Sequence, residues 1–297
     1  MSEHTFYIAD VFAEQKYSGN QLAVFRNTDG LSTEEMQTIA LEMHFSETTF
    51  ILSDEPRDGG YDVRIFTPGE EVPFAGHPTL GTASIIRQEI IGQPVEQVVL
   101  NLQVGPIPVT FDGDILWMEQ VTPQFGATLE IDQLAPVLNL DESDFDPHFP
   151  IEEVSTGLPH IIVPLKTMDG LKRANVNREH YFALIEDTWA KPIMIFCPGG
   201  YNAEQDLGVR MFADCFGIAE DPATGSGSGC LAGYLVKHRY FGTQNIDVRT
   251  GQGYEVNRPS TLYLKAATKE NGIEVHVGGK VVRIAVGEFV QDPACGR

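Results

Sequence analysis

The chain has 297 residues, 42% hydrophobic and 21% charged, enough for two domains of roughly 150 residues with a core in each. Its formal net charge of −22 argues against nucleic acid or an anionic membrane as a partner, and the excess acid is read as a solubility device. No apolar run approaches the ~18 residues of a membrane-spanning helix.

Met1-Ser2-Glu3-His4 carries no basic segment ahead of an apolar one, so no secretory leader is expected. A strand is predicted at 6–12, a Ser-Gly-Asn turn after it, and a second strand at 21–25. Ser32 followed by Glu35 is a capping box, Leu31 and Met36 form a staple, and Met36, Ile39, Ala40 and Met43 repeat at helical spacing. Extended segments follow at 47–52 and 61–66. Beyond a glycine-bearing helix over 78–90, strands are predicted at 96–103, 107–112 and 114–119. The acidic, proline-containing stretch 141–150 reads as surface connection.

The second half gives a helix at 178–186, strands at 192–197 and 207–213, and a helix at 227–238. Strands at 245–249, 261–267, 272–277 and 280–290 close the chain, with Gly251-Gln252-Gly253 and Arg258-Pro259-Ser260 read as turns. Cys197, Cys215, Cys230 and Cys295 form no C-x-x-C pair, and the eight histidines are scattered without ligand spacing, so no metal is expected. Without a leader, these cysteines are read as reduced thiols and the location as cytoplasmic.

One pattern occurs twice, 146 to 149 positions apart. Val63-Arg64-Ile65-Phe66 leads to Pro73-Phe74-Ala75-Gly76-His77, and Val209-Arg210-Met211-Phe212 leads to Pro222-Ala223-Thr224-Gly225-Ser226. Each time a strand passes through a glycine turn into a helix, which aims backbone N–H groups at whatever lies before the helix. The helices carry Gly81, Thr82, Ala83 and Ser84 in one copy and Gly229, Cys230, Ala232 and Gly233 in the other. Glycine inside a helix costs ~1 kcal/mol relative to alanine, so close packing against a curved sheet must compensate. The expectation is an α+β chain of two pseudo-symmetric halves, each a strand barrel around a central helix, with the active site between them. The first domain is placed at 1–116 with 280–297 returning to it, the second at 117–279.

Arg64 and Arg210 occupy equivalent places and read as a matched structural pair. Gly76-His77 and Gly225-Ser226 read as N-cap turns, and Asp221 before Pro222 as a turn former. Glu47 opens a strand between Phe45 and Phe50; a carboxyl among apolar groups has a raised pKa suited to proton transfer, while the plain alternative is an outward-facing strand residue.

Gly19-Asn20, His44-Phe45-Ser46-Glu47-Thr48, Phe66-Thr67-Pro68, Val72 to Thr79 and Glu220 to Ser226 together resemble the phenazine-biosynthesis PhzF-like family along essentially the whole chain. The resemblance implies the diaminopimelate-epimerase-like fold and an isomerase that moves a proton without a cofactor. It makes Glu47 the proton shuttle and Gly76, His77, Asp221, Gly225 and Ser226 substrate-binding residues. It also implies a small, anionic substrate and a homodimer. Related epimerases and racemases place two opposed cysteines at the helix starts; here those positions hold Ala75 and Thr224, which excludes two-thiol racemisation. Three readings stay open: a single-Glu isomerase, an epimerase working through another pair such as Glu47 with Asp221, and a catalytically silent binding protein on the same scaffold.

Overall fold

The computed structural model describes residues 3–290 and divides the chain into two compact units, Met1–Met118 with Gly279–Arg297, and Glu119–Gly278. Cys295 and the tail from 291 onward, which the sequence assigned to the first domain, lie outside the described residues.

In the first unit β1 (Glu3–Val11) runs antiparallel to β2 (Asn20–Phe25), and helix α1 (Thr33–Met43) crosses over to β3 (Glu47–Ile51), parallel to β2. β4 (Tyr61–Phe66) returns antiparallel to β3, the two-residue β5 (Glu71–Val72) pairs with its end, and α2 (Gly76–Ile85) follows. β6 (Gln97–Leu102) then lies parallel to β4 and continues through antiparallel β7 (Gly105–Asp112) and β8 (Ile115–Gln120).

The second unit opens with β9 (Gln124–Leu129), α3 (Ile131–Leu138), β10 (Ile151–Ser155) and β11 (Pro159–Pro164). α4 (Met168–Arg173) and α5 (Arg178–Glu186) cross over to β12 (Ile193–Pro198), parallel to β11. β13 (Leu207–Ala213), β14 (Ile218–Asp221), α6 (Gly225–Lys237), β15 (Asn245–Gln252), β16 (Ser260–Lys269) and β17 (Gly272–Gly279) follow. Finally β18 (Val281–Val290) pairs antiparallel with β1 in the first unit. Read by neighbours, the strand orders are β18-β1-β2-β3-β4-β6-β7-β8 and β9-β10-β11-β12-β13-β15-β16-β17. They coincide strand for strand, with parallel steps at the same two places. The duplicated α+β fold expected from the sequence is therefore present in each unit.

The local signals act as physical chemistry requires. Ser32 Oγ accepts from Glu35 N at 3.2 Å and Glu35 Oε2 accepts from Ser32 N at 2.8 Å, closing the capping box of α1. Leu31, Met36, Ile39 and Ala40 are buried against Phe25, Phe50 and Phe66. Strands β1, β2, β3, β6, β7 and β18 pack on α2, and β10, β11, β15 and β16 pack on α6. Both helices are buried on all sides: His77 to Ile85 in one and Gly227 to Val236 in the other. The glycines are where the walls come closest. A Cβ at Gly81 would stand 2.4 Å from Leu22 Cδ2, and one at Gly233 would stand 2.6 Å from Pro123 Cγ.

Arg64 and Arg210 are the matched structural pair that the repeat implied. Arg64 binds Glu71 in a two-pronged contact (2.8 and 2.7 Å), and Arg210 binds Glu220 likewise (3.0 and 2.8 Å). Each guanidinium lies over the phenylalanine two positions on, at 5.1 Å from Phe66 and 4.9 Å from Phe212. The ion pairs raise both arginine pKa values further and hold the Glu71 carboxyl below its usual range. These pins tie β4 to β5 and β13 to β14, fixing the chain just before it enters each central helix.

Several expectations need correction. The central helices begin two residues earlier, at Gly76 and Gly225, because Ala75 and Thr224 are the extended N-caps; neither His77 nor Ser226 is a cap. α2 ends at Ile85 and widens into a π-helical turn, Ile86–Ile91, closed by Gly92 at φ 67°. Gly251 and Gln252 lie inside β15, and the turn belongs to Gly253 at φ 78°. β9, α3, β10, α4 and β14 were not anticipated; α3 even carries Pro136 inside it. Residues 141–150 are mostly at the surface, yet Phe145 is buried and anchors them to the core.

Gly233→Ala tests the packing account. Alanine improves helix propensity by ~1 kcal/mol, but its methyl meets the rigid Pro123 ring, and overpacking costs ~1–3 kcal/mol. The expected outcome in urea unfolding is a net loss of stability, opposite in sign to the gain at an exposed helix glycine.

Candidate active site

In the first unit Glu47 and His77 meet. Glu47 starts β3 opposite Leu22, and its buried Oε2 lies 3.4 Å from His77 Nε2 on the first turn of α2. Strand alternation explains the direction: Thr49, two residues on, also faces α2, with its Oγ1 2.8 Å from Thr82 Oγ1. Alternation also turns the neighbouring rings away from Glu47. Phe50 points the other way, into the cluster beneath α1, and Phe45 packs on the same cluster. The carboxylate's described companion is an imidazole instead of aromatic rings.

That imidazole is neutral. His77 is 6% exposed, and burial lowers its pKa from 6.5 to about 4. Its Nε2 also lies 3.3 Å from the Gln21 carbonyl oxygen, which can only accept, so the proton is assigned to Nε2. That N–H is directed at the Gln21 carbonyl, and the Glu47 carboxylate lies beside the same nitrogen. With the imidazole neutral, the 3.4 Å approach of Glu47 Oε2 to His77 Nε2 is a close polar contact and not an ion pair.

In the second unit Asp221 ends β14 and is 6% exposed. Thr224, the N-cap of α6, does not cap the helix with its hydroxyl; it donates that hydroxyl to Asp221 Oδ2. Gln252 completes the cluster: its Nε2 donates to the Asp221 carbonyl (2.8 Å) and Thr224 Oγ1 (3.0 Å), while its Oε1 accepts from Thr224 N (3.3 Å). Gln252 is fully buried, and the sequence reading passed over it because glycines on both sides resembled a turn. Gly225 and Ser226 are the first two residues of α6, as Gly76 and His77 are of α2. Neither helix has a side-chain hydrogen bond to its N-cap turn, and both first turns lack acidic residues. Their leading N–H groups and helix dipoles suit an anion.

Among the described residues, no cluster of His, Cys, Asp or Glu is arranged to hold a metal, and no helix is long and apolar enough to cross a membrane.

Such a fold, two duplicated units each wrapped around a central helix, is of the diaminopimelate-epimerase-like class. The sequence pattern of the family described as "Phenazine biosynthesis-like protein" matches residues 9–287, so the chain belongs to the PhzF family. The trans-2,3-dihydro-3-hydroxyanthranilate isomerase of Pseudomonas aeruginosa is 35% identical over 292 residues, covering 96% of this chain and 98% of that protein. A crystal structure of the PhzF-family phenazine biosynthesis protein of Bacillus anthracis superposes with a TM-score of 0.89 at 26% identity, covering 98% of this chain and 100% of that one. A hydroxyproline epimerase of Agrobacterium vitis shares the fold alone, with a TM-score of 0.64 at 9% identity over 100% of this chain and 93% of that one.

His160, in the second unit, is buried like His77 and also lowered from 6.5 to about 4. For both, the folded state resists a proton that the unfolded chain accepts. The stability each provides is therefore complete above pH 6.5 and lost as pH falls from 6.5 toward about 4. Per histidine the loss is up to roughly 3 kcal/mol. In urea unfolding between pH 7.5 and 4, His160→Asn is expected to flatten this acid limb; an unchanged slope would show that His160 does not contribute to it.

Proposed function

We propose that this isomerase moves a proton on a small cyclic or unsaturated carboxylate, without a cofactor, using Glu47 as its single acid/base. The observation that carries the reading is the Glu47–His77 contact at 3.4 Å, present in one copy of the repeat only. In β3 and β4, Thr48 faces Phe66; in β12 and β13, Ile193 faces Phe212. Phe66 and Phe212 are repeat equivalents, so Glu47 corresponds to Pro192, and His77 corresponds to Ser226. The duplication thus offers one proton carrier where a two-base racemase needs two.

Glu47 takes a proton from an acidified carbon of the substrate and returns it to a second carbon on the same face. The neutral His77 ring lies beside the carboxylate without adding a positive charge that would weaken it as a base. Gly76 binds the substrate in this reading, the N–H groups at the start of α2 receiving its carboxylate. A cyclic, unsaturated acid such as the compound in the name of the Pseudomonas aeruginosa relative is the class to try first.

In deuterated water the enzyme is expected to place deuterium into product without inverting a stereocentre; inversion would favour the epimerase reading. Glu47→Gln keeps the shape and loses the base, so turnover should fall by ~10² to 10⁴ with substrate still bound. Full turnover in that variant would sink the mechanism.

The thiols should be spectators. Burial pushes Cys197 and Cys230 up to about 11 and also raises Cys215, so all three are protonated at neutral pH. Iodoacetamide treatment of the native enzyme is expected to leave turnover intact.

A further inference from the structure

We propose a second ligand site at the far end of α2, a groove that binds a small monocarboxylate with a flat apolar body. The groove has a volume of about 580 Å³ and lies within the first unit. Arg87, Gln88, Phe111, Leu116, Val281 and Val282 line it. At ~1.5 Å per residue, Arg87 lies on the order of 15 Å along the helix from Gly76, so the groove is separate from the Glu47–His77 contact.

Arg87 supplies the recognition. Its guanidinium stacks over Phe111 at 4.4 Å, which occupies its face and leaves the N–H edges. Among the described residues no carboxylate lies within 4 Å of it and none of its N–H groups is hydrogen-bonded. This is uncommon in a chain with 42 acidic and 20 basic residues. Arg26, Arg64, Arg210 and Arg283 each hold a carboxylate. The Ile86–Ile91 π-turn, where Gly92 N reaches back to Arg87 O at 3.0 Å, carries Arg87 and Gln88 at the groove. Such widened turns are less stable than regular helix and frequently mark functional positions.

Charge and polarity select the ligand class. Lys280 and Glu14 both line the groove and bind each other at 2.7 Å, cancelling. That leaves Arg87 against Asp114 on the β7–β8 turn, so a dianion would meet net repulsion after its first contact. A carboxylate matches the planar fork of one arginine in a two-pronged contact. Leu116, Val281 and Val282 then offer an apolar wall to the rest of the molecule.

The test is a benzoate titration of the full chain followed by NMR at the Arg87 Nε–H and the Phe111 ring, with inorganic phosphate as the comparison anion. The expected result is a saturable benzoate shift at both probes and none with phosphate. In Arg87→Gln the apparent affinity read at Phe111 should drop at least tenfold, with unchanged thermal unfolding showing that the fold is retained. No saturable shift, the same Phe111 isotherm in Arg87→Gln, or saturation by phosphate alone would each overturn the proposal. Because these probes report from the groove itself, failure here leaves the Glu47 reading standing, and failure of Glu47→Gln leaves this one standing.

Discussion

A helix enclosed by strands on every side has no polar face, so whatever chemistry it offers must come from its ends. α2 and α6 are such helices, and this enclosure organises the rest of each unit. It demands small residues where strands approach, which is why Gly81 faces Leu22 and Gly233 faces Pro123. It also leaves the first-turn N–H groups as the helix's outlet for polarity. In a regular surface helix a Ser or Asp cap would consume them; here the caps are Ala75, which has no polar side chain, and Thr224, whose hydroxyl is turned toward Asp221. The helix starts are kept available by what the caps do not do.

Keeping them available requires that the entry to each helix be held by something else. In both units an arginine on the strand reaches a glutamate on the short strand that follows, and lies over a phenylalanine two positions ahead. Arg210 adds bonds to the carbonyls of Leu171 (3.0 Å) and Ala174 (2.7 Å), stitching the crossover to the same point. A largely buried ion pair gains little net energy after desolvation, but breaking it by removing one partner strands the other charge. Its value here is geometric: it sets the path by which the chain reaches Gly76 and Gly225.

Much of this was legible because the signals are local. The capping box at Ser32, the strands at Tyr61–Phe66 and Leu207–Ala213 and the helix Arg178–Glu186 follow from short-range pattern and were read with those bounds or nearly so. The duplication revealed the two-unit architecture because Val-Arg-x-Phe and the glycine turns survive in both copies. What escaped depends on contacts distant in sequence. β10 is buried along its length, so Ile151–Ser155 shows no alternation despite Glu152 and Glu153. Those carboxylates are satisfied by His238 and Lys237 and by backbone N–H groups of Ala127 and Ala190, partners no window around residue 152 contains. Gln252 was misread for the same reason: its glycine neighbours resemble a turn, while its hydrogen bonds lie 28 and 31 positions away.

At Glu47 the surroundings differ from those the sequence suggested. Glu47 drew attention as a carboxyl among aromatics, but a strand sends neighbours to opposite faces and the rings belong to another core. The structure substitutes a neutral histidine, fixed by burial and by the Gln21 carbonyl, with its Nε2 3.4 Å from the carboxylate. A charged imidazolium would stabilise the carboxylate so strongly that its basicity would fall. A wholly apolar wall would instead favour the protonated acid and weaken it as a base at neutral pH. A neutral imidazole lies between these limits: it is polar, yet it adds no full positive charge. That balance fits the acid/base role proposed for Glu47. It depends on His77 staying buried at the start of a helix that the strands enclose.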